Sequence, residues 1–253
     1  MCELLGFSSP DETDIRKVLK AFFAHGKKHP HGWGMMSENF GGRAIVRGAE
    51  CAADSERLAE LIERLQPQKN FLGHIRFATV GSIRLENCHP FTGRDITGRE
   101  WTMIHNGTIY SGKNLYRYYS SQQGDTDSER LFMALLEEID RRCEKGVMSE
   151  KDRFETVDRF IVENAPRNKL NLMIYDGELM YVHKNLKNTL SYKKLGNGLM
   201  FATEPPDDGE WLPFPMAQVI AYRAGKEVWR GERHKGVFVP TLDYITALDA
   251  MNI

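Results

Sequence analysis

Apolar residues recur at helical spacing in several stretches of the chain, at positions i, i+3 and i+4. One such stripe follows Ser55, a typical N-cap residue, and stops before Pro67. Further along, Ser149 and Asp152 form the capping pair of another helix. The pattern predicts helices over residues 13–27, 55–66, 128–138 and 149–164.

Shorter apolar runs lie before, between and after these stripes and predict strands. The pair Asp176-Gly177 separates two of them and is typical of a tight type I′ hairpin turn. Many antiparallel strands with few helices indicate an α+β chain in which helices cover two stacked sheets. Because no repeat or linker interrupts the pattern, we expect one domain over residues 1–253. The predicted strands cover residues 2–7, 33–36, 44–47, 71–77, 101–105, 170–175, 179–183, 200–203, 219–223 and 227–230.

Composition and charge exclude several classes of protein. Apolar residues make up 41% and charged residues 27% of the 253 positions, which is ordinary for a globular protein. The formal net charge of −1 argues against a nucleic-acid-binding protein, which usually carries a strongly basic face. No run approaches the ~18 apolar residues of a membrane span, and the N-terminal segment lacks the pattern of a secretory signal. We therefore expect a cytoplasmic protein without a membrane segment.

Common nucleotide, metal and cofactor motifs are absent from the sequence. It contains no P-loop, no H-E-x-x-H helix and no G-x-S-x-G elbow. The four cysteines are widely spaced, which argues against a zinc site and against a disulfide framework. His25, His29 and His31 cluster near Pro30, where we expect a solvated turn, with metal binding as the minor alternative. We predict neither a cofactor nor a metal.

Cys2, directly after the initiator methionine, is the first candidate for chemistry. Removal of Met1 would place a thiol beside a free α-amine, whose pKa of about 7.7–8.0 leaves much of it as free base near neutral pH. Such an amine can take the proton of its own residue's thiol, directly or through water. The alternative is a small buried cysteine on a first strand, without a catalytic role.

Polar residues of complementary chemistry end two predicted strands and begin a helix. Arg76 follows one strand, where a guanidinium could clamp a carboxylate. Asn106 and Gly107 end the next, and an amide with an unhindered backbone N–H supplies the donors of an oxyanion hole. Asp127 stands at a helix start, where it could pair with an ammonium. The structural alternatives are an ion pair for Arg76, a hairpin turn for Asn106-Gly107 and a helix cap for Asp127.

These residues, together with further landmarks in order, resemble the class II glutamine amidotransferase domain, a family of N-terminal-nucleophile hydrolases. The segments CELLG and LENCHPF, with ATEP late in the chain, are most similar to the stand-alone YafJ-type branch. The resemblance implies the family's fold, a four-layer αββα sandwich of two antiparallel sheets. The landmarks lie at residues 2–6, 32–34, 76–81, 106–107 and 126–129.

The resemblance assigns the reacting groups of an amide hydrolysis. Cys2 would be the nucleophile, and its own α-amine would be the general base. Asn106 and Gly107 would bind the oxyanion of the tetrahedral intermediate. A γ-glutamyl thioester would form on the cysteine, with release of ammonia or an amine, and water would then release glutamate.

The resemblance also assigns the groups that recognise the substrate, a small molecule with a γ-carboxamide. Arg76 would hold the α-carboxylate, Asp127 the α-ammonium, and Thr79 would support the glutamine pocket. The chain has Val80 where many members of the family have histidine. The remaining site residues match the pattern of the family.

Three hypotheses for the function remain open at the level of sequence. The first is an amidotransferase that passes ammonia to a separate synthase or acceptor protein. The second is a free-standing hydrolase of γ-glutamyl small molecules or peptides. The third is a non-catalytic binding or regulatory module. Because the whole set of site residues is intact, we favour the two catalytic hypotheses.

Overall fold

The computed structural model describes residues 2–39, 42–240 and 246 of the chain. Four α-helices and thirteen β-strands follow one another within these residues. The helices are α1 (Arg16–Ala24), α2 (Glu56–Glu63), α3 (Asp127–Cys143) and α4 (Glu150–Asn164). The strands are β1 (Glu3–Thr13), β2 (Trp33–Asn39), β3 (Gly42–Gly48), β4 (Gln68–Ile75), β5 (Phe91–Arg94), β6 (Glu100–Thr108), β7 (Lys169–Tyr175), β8 (Met180–Lys184), β9 (Ser191–Leu195), β10 (Gly198–Ala202), β11 (Leu212–Pro213), β12 (Gln218–Arg223) and β13 (Lys226–Arg230).

The strands form two antiparallel sheets. The seven-stranded sheet has the order β11-β9-β10-β1-β4-β2-β3, and the six-stranded sheet has the order β13-β12-β8-β7-β6-β5. Within the first sheet, Glu3 of β1 lies opposite Ile75 of β4, and Leu5 lies opposite Ala202 of β10. Strand β1 is therefore held on both sides by strands from distant parts of the chain.

The alternation of side chains along each strand decides the layers. Leu5 of β1 packs in one core with Phe22 of α1 and Leu58 of α2. Its neighbour Leu4 faces the opposite way, into a second core with Ile104 of β6 and other residues of the six-stranded sheet. A third core joins that sheet to α3 and α4. The layers are helix, sheet, sheet and helix, so the predicted αββα sandwich is confirmed.

The helix starts agree with the capping residues in the sequence. Ser55 accepts a hydrogen bond of 3.2 Å from the N–H of Leu58, and Ser149 forms a reciprocal capping box with Asp152. Helix α3 extends beyond its predicted end because Ile139, which is fully buried, continues the apolar stripe. No helix in residues 2–39 and 42–240 is long and apolar enough to cross a membrane.

The hairpin between β7 and β8 forms as predicted, but its turn is of another type. The N–H of Asp176 donates to the carbonyl of Leu179 at 3.2 Å, so Gly177 and Glu178 are the two central residues. Of these two, Gly177 alone has a positive φ, at 95°. This is the pattern of a type II′ turn, and the expected type I′ turn is wrong. The Asp176 carboxylate precedes the turn and accepts hydrogen bonds from the backbone N–H groups of Glu178 and Leu179.

Candidate active site

Cys2 lies at the start of β1, beside the end of β4. The N–H of Phe77 donates to its Sγ at 3.3 Å, and the Phe77 carbonyl oxygen is 3.4 Å from the same sulfur. The register of β1 on β4 produces this contact, since Glu3 pairs with Ile75. The half-buried thiol therefore contacts Phe77, the residue directly after Arg76.

The surroundings of Cys2 act on its protonation in opposite directions. Burial raises the pKa of the Cys2 thiol above its ordinary value. The N–H of Phe77 and the positive charges of Arg76 and Lys169 favour the thiolate and oppose this rise in the pKa. A thiol with a raised pKa is mostly protonated near neutral pH. A nucleophilic Cys2 therefore needs a base that takes its proton.

Arg76 is buried and binds backbone carbonyl groups. Its Nη1 donates to Ser82 at 2.9 Å, and its Nη2 donates to Val80 and Gly81 at 3.1 and 3.3 Å. The backbone N–H of Arg76 donates to the carbonyl of Gly32 at 2.7 Å. Among the described residues Arg76 forms no ion pair, so the structural alternative of an ion pair is wrong. The guanidinium instead organises the segment of residues 80–82.

A second set of contacts holds the same segment from the outside. The backbone N–H and the hydroxyl of Ser82 donate to the carboxylate of Asp125, at 3.1 and 3.0 Å. The side chain of Asn87 donates to the carbonyl of Ser82 at 2.7 Å. Thr79 is exposed and lies just before the segment. Asp125 thereby connects the segment to the loop that precedes α3.

Asn106 and Gly107 lie within β6, opposite Asn171 and Leu170 of β7. The alternative that they form a hairpin turn is therefore wrong. A Cβ atom on Gly107 would come within 1.8 Å of the carbonyl oxygen of Lys169. Glycine is thus required here by the close approach of a neighbouring strand, and not by a turn.

The backbone N–H of Gly107 points away from β7. Its partner Leu170 donates its N–H to Asn185 and accepts a hydrogen bond from the ring of His183, so neither backbone group bonds to Gly107. In an antiparallel ladder such a pair directs its backbone groups to the outer edges. The outer edge of β6 pairs with β5 only over residues 100–103. The Gly107 N–H therefore points to the side of β6 that β5 does not cover.

Asp127 is the first residue of α3 and not its cap. The cap is Thr126, whose hydroxyl accepts a hydrogen bond from the N–H of Glu129 at 3.2 Å. One carboxylate oxygen of Asp127 accepts from the N–H of Ile109 at 2.7 Å, and the other accepts from Ser128 at 2.9 Å. The alternative that Asp127 is a cap is wrong. Its carboxylate ties the start of α3 to the chain that leaves β6.

One side chain forms a hydrogen bond between the two sheets, and another, on the six-stranded sheet, acts by its charge on Cys2. The Nε2 of His74 on β4 donates to the carbonyl of His105 on β6 at 3.2 Å. Lys169, the first residue of β7, donates from Nζ to the Oδ1 of Asn106 at 3.1 Å, and its charge also acts on the Cys2 thiol. One end of the sandwich thus brings together Cys2, Arg76, Asn106, Gly107 and Asp127. Thr79 is exposed, three residues after Arg76.

The sequence was compared with models of known families. Residues 1–195 match the model described as Glutamine amidotransferases class-II, which is more than half of the chain. The chain belongs to this family. A relative in Escherichia coli (strain K12), named "Putative glutamine amidotransferase YafJ", is 28% identical over 240 residues, which cover 91% of this chain and 93% of the relative. The predicted family resemblance is therefore confirmed.

Solved structures of amidotransferases share the fold of this family member. Glutamine phosphoribosylpyrophosphate amidotransferase from B. subtilis matches 92% of the chain with a TM-score of 0.68 and 15% identity. The match spans about half of that enzyme, 49% of its length. A structure described as "predicted glutamine amidotransferase", from Pseudomonas aeruginosa PA01, matches 90% of the chain and 100% of its own, with a TM-score of 0.62 and 23% identity. At these identities the likeness concerns the fold alone.

The histidine cluster of this family member is not the solvated turn that the sequence predicts. Glu3 lies 2.8 Å from the Nδ1 of His25 and 2.8 Å from the Nε2 of His29. The Nδ1 of His31 accepts a hydrogen bond from the N–H of Ala78. The available signal was Glu3 itself, because a carboxylate on a buried strand needs polar partners. Among the described side chains, no group of three or more His, Cys, Asp or Glu is placed to hold a metal.

Lys169 and His105 are further residues of the site that the sequence pattern did not single out. The ring of His105 contacts the hydroxyl of Ser128 at 2.9 Å and donates to the carbonyl of Lys169 at 3.0 Å. It thereby joins β6, β7 and the start of α3. A signal for Lys169 was present in β7, which has the sequence KLNLMIY. Its polar residues alternate with apolar ones and therefore share one face.

Proposed function

We propose that this family member cleaves the γ-carboxamide of glutamine, or of a γ-glutamyl amide, through a thioester on Cys2. The observation that carries the proposal is the placement of the Cys2 thiol with Asn106 and Gly107 at one end of the two sheets. Lys169 contacts Asn106 and acts electrostatically on Cys2. Membership in the class II glutamine amidotransferase family supports this class of reaction.

The proposed reaction begins after removal of Met1, when the α-amine of Cys2 takes the proton of its own thiol. The sulfur attacks the γ-carbonyl carbon, and the amide of Asn106 with the N–H of Gly107 stabilises the oxyanion. The ammonium returns its proton to the leaving nitrogen as the C–N bond breaks, and ammonia or an amine departs. Water, activated by the same amine, then cleaves the thioester, releases glutamate and restores the thiol.

The α-carboxylate and α-ammonium of the substrate would contact Arg76 and Asp127. The guanidinium has five N–H donors, and the contacts with residues 80–82 use only part of this set. The Asp127 carboxylate is held by two backbone N–H groups, and each of its oxygens can accept a further hydrogen bond. Both groups are thus oriented before the substrate arrives. Thr79 would lie beside them in the pocket.

Replacement of Arg76 should weaken the binding of substrates that carry an α-carboxylate. A charge-assisted hydrogen bond contributes about 1.5–3 kcal/mol, so Arg76→Ala should raise KM about ten-fold or more. The effect should be smaller for an otherwise identical γ-glutamyl amide that lacks the α-carboxylate. The measurement is KM and kcat for both substrates with the wild type and the variant.

The matched control for this measurement is Arg84→Ala. Arg84 lies two residues after the segment of residues 80–82. It is half exposed, and its guanidinium is 3.6 Å from the carboxylate of Asp125. Its loss should change KM for either substrate by less than about two-fold, as for most exposed ion pairs. If Arg76→Ala raises KM equally for both substrates, Arg76 does not bind the α-carboxylate and only supports residues 80–82.

The site favours a hydrolase that works without an obligate partner. Hydrogen bonds within the chain already hold Arg76, Asn106 and Asp127, and a site organised in this way needs no partner to assemble it. An amidotransferase coupled to a synthase is expected to complete its site only when the partner and acceptor bind. We therefore propose a γ-glutamyl amide as the substrate, with transfer of ammonia to a partner as the second candidate.

Release of ammonia or amine by the purified protein alone tests this choice. The protein with Cys2 as its first residue should turn over a γ-glutamyl amide with a bulky leaving group faster than glutamine. A rise in glutamine turnover of at least ~100-fold with a copurifying partner, about 2.7 kcal/mol, would instead favour the amidotransferase. If no amide is cleaved under either condition, both catalytic proposals fail and the binding module remains.

We also propose that residues 1–253 form a single glutamine amidotransferase type-2 domain. The family match ends at residue 195, the last residue of β9. Strand β10, which follows, lies directly beside β1 in the seven-stranded sheet, and β12 and β13 complete the other sheet. The strands after the matched part are therefore integral to the sandwich that holds Cys2.

A further inference from the structure

Lys169 is a fully buried lysine at the candidate site. It is the first residue of β7 and lies across the ladder from Thr108, two residues beyond Asn106. Burial of an ammonium group is costly unless polar groups surround it, so a lysine in this position calls for a physical reason. One partner of its Nζ is the Oδ1 of Asn106, at 3.1 Å.

The contact with Lys169 decides which end of the Asn106 amide faces the substrate. A carboxamide has an acceptor oxygen at one end and two N–H donors at the other. Lysine can only donate, so it selects the orientation in which Oδ1 faces Nζ. The Nδ2 donors then point elsewhere, as oxyanion binding requires. The reversed amide would place an oxygen against the oxyanion and repel it.

Lys169 and Cys2 also influence each other's protonation. Burial lowers the pKa of Lys169 to about 8, and the negative charge of a Cys2 thiolate acts against this decrease. The charge of Lys169 in turn opposes the burial-induced rise in the pKa of Cys2. Both effects favour the charged forms, because an ammonium at residue 169 and a thiolate at residue 2 stabilise each other.

We propose that Lys169 is a positioning residue of this site, which orients the Asn106 amide for the oxyanion and supplies positive charge beside the Cys2 sulfur. The inference rests on the proposed function, because it assigns Lys169 a part in the same reaction. It adds a residue that links the two halves of the site across the sheets.

The chain contains a matched control for a buried lysine without this role. Lys184 on β8 is also buried, and its Nζ donates to the carbonyl of Leu190 at 2.9 Å. Burial lowers the pKa of Lys184 as well. Replacement of either lysine by methionine removes one buried charge and shortens the unbranched side chain by one atom only. A purely structural effect should therefore appear in both variants.

The kinetic arm compares kcat and KM of Lys169→Met and Lys184→Met on the same γ-glutamyl amide. Loss of an oriented oxyanion donor should lower kcat of Lys169→Met by about 100-fold, with KM changed by less than about three-fold. Lys184→Met should keep kcat within two-fold of the wild type. Melting temperatures identify any loss of folding. If Lys169→Met does not fold, Lys169→Gln, which keeps a donor without the charge, replaces it in the alkylation arm described next, where loss of the charge alone is tested.

The second arm requires no turnover. The rate at which iodoacetamide alkylates Cys2 is measured against pH, by mass spectrometry of the peptide that contains this residue. Loss of the ammonium should move the midpoint of this profile upward by about 1 pH unit in the Lys169 variant. Lys184→Met should leave the midpoint unchanged, because no interaction connects that lysine to the thiol.

The two arms separate this inference from the proposed function. A wild type that cleaves no amide contradicts the proposed function, and the alkylation profile then decides the role of Lys169 alone. With an active wild type, a lower kcat together with a raised midpoint supports the inference. A kcat of Lys169→Met within two-fold of the wild type overturns it. An unchanged alkylation midpoint overturns it as well.

Discussion

Replacement of Cys2 by alanine should abolish turnover, with kcat reduced by at least about 10⁴-fold. Removal of the nucleophile in enzymes that form a covalent intermediate costs on the order of 10⁶-fold, and the remaining groups cannot form the thioester. The fold should persist, because the Cys2 side chain is half-buried and, among the described residues, its hydrogen bonds are with the backbone of Phe77. Steady-state amine release and the melting temperature check the two parts of this expectation.

Cys51→Ala is the matched control for the nucleophile. Cys51 is also half-buried, and its thiol donates to a backbone carbonyl, that of Gly26, at 3.3 Å. Its loss should leave kcat within two-fold of the wild type. A Cys2→Ala variant that keeps more than about a tenth of the wild-type kcat would show that another group performs the attack.

A residue retained in front of Cys2 should lower turnover by about 10²- to 10⁴-fold, the usual contribution of a general base. An acylated α-nitrogen is an amide and cannot take a proton, whereas the raised pKa of the Cys2 thiol makes a base necessary. Within the described residues, the hydrogen bonds of the Cys2 sulfur are with the backbone of Phe77, and no side chain there is hydrogen-bonded to it.

Two forms of the chain test the role of the amine. In one, a leader is removed by a site-specific protease so that Cys2 becomes the first residue; in the other, the cleavage site is destroyed. Intact mass establishes the N-terminus of each. For the processed form, kcat/KM should rise with pH through about 7.7–8.0, where a free α-amine loses its proton. Full activity of the form that retains the leader would contradict the mechanism.

Much of the fold is predictable from local patterns. The capping residues Ser55 and Ser149 mark the helix starts, and the apolar stripes place α1 to α4 to within a few residues. The alternation of Leu4 and Leu5 on opposite faces of β1 follows from strand geometry. The turn at Gly177 was less predictable, because the Asp176 carboxylate competes for the backbone N–H groups that follow it.

The candidate site was predictable in part. The residue types and their order along the chain place Cys2 on a first strand and Asn106 and Gly107 at the end of another, and the structure brings them to one end of the sandwich. The pattern did not indicate that Arg76 donates to the carbonyls of residues 80–82. Nor did it indicate that Glu3 is surrounded by histidines.

The helices, most of the strands, the family and the candidate groups for the chemistry were all predictable without the structure. These features depend on local periodicity, on capping and on the order of residue types, and all of them are contained in short stretches of chain. The partners of the buried polar groups, in contrast, became known from the three-dimensional structure. The hydrogen bond between Lys169 and Asn106 joins residues 63 positions apart in the sequence. The one between His74 and the carbonyl of His105 joins residues 31 positions apart. Such pairs depend on the register of β6 on β7 and on the stacking of the two sheets. Both are set by the sum of many long-range apolar contacts, which no local pattern contains.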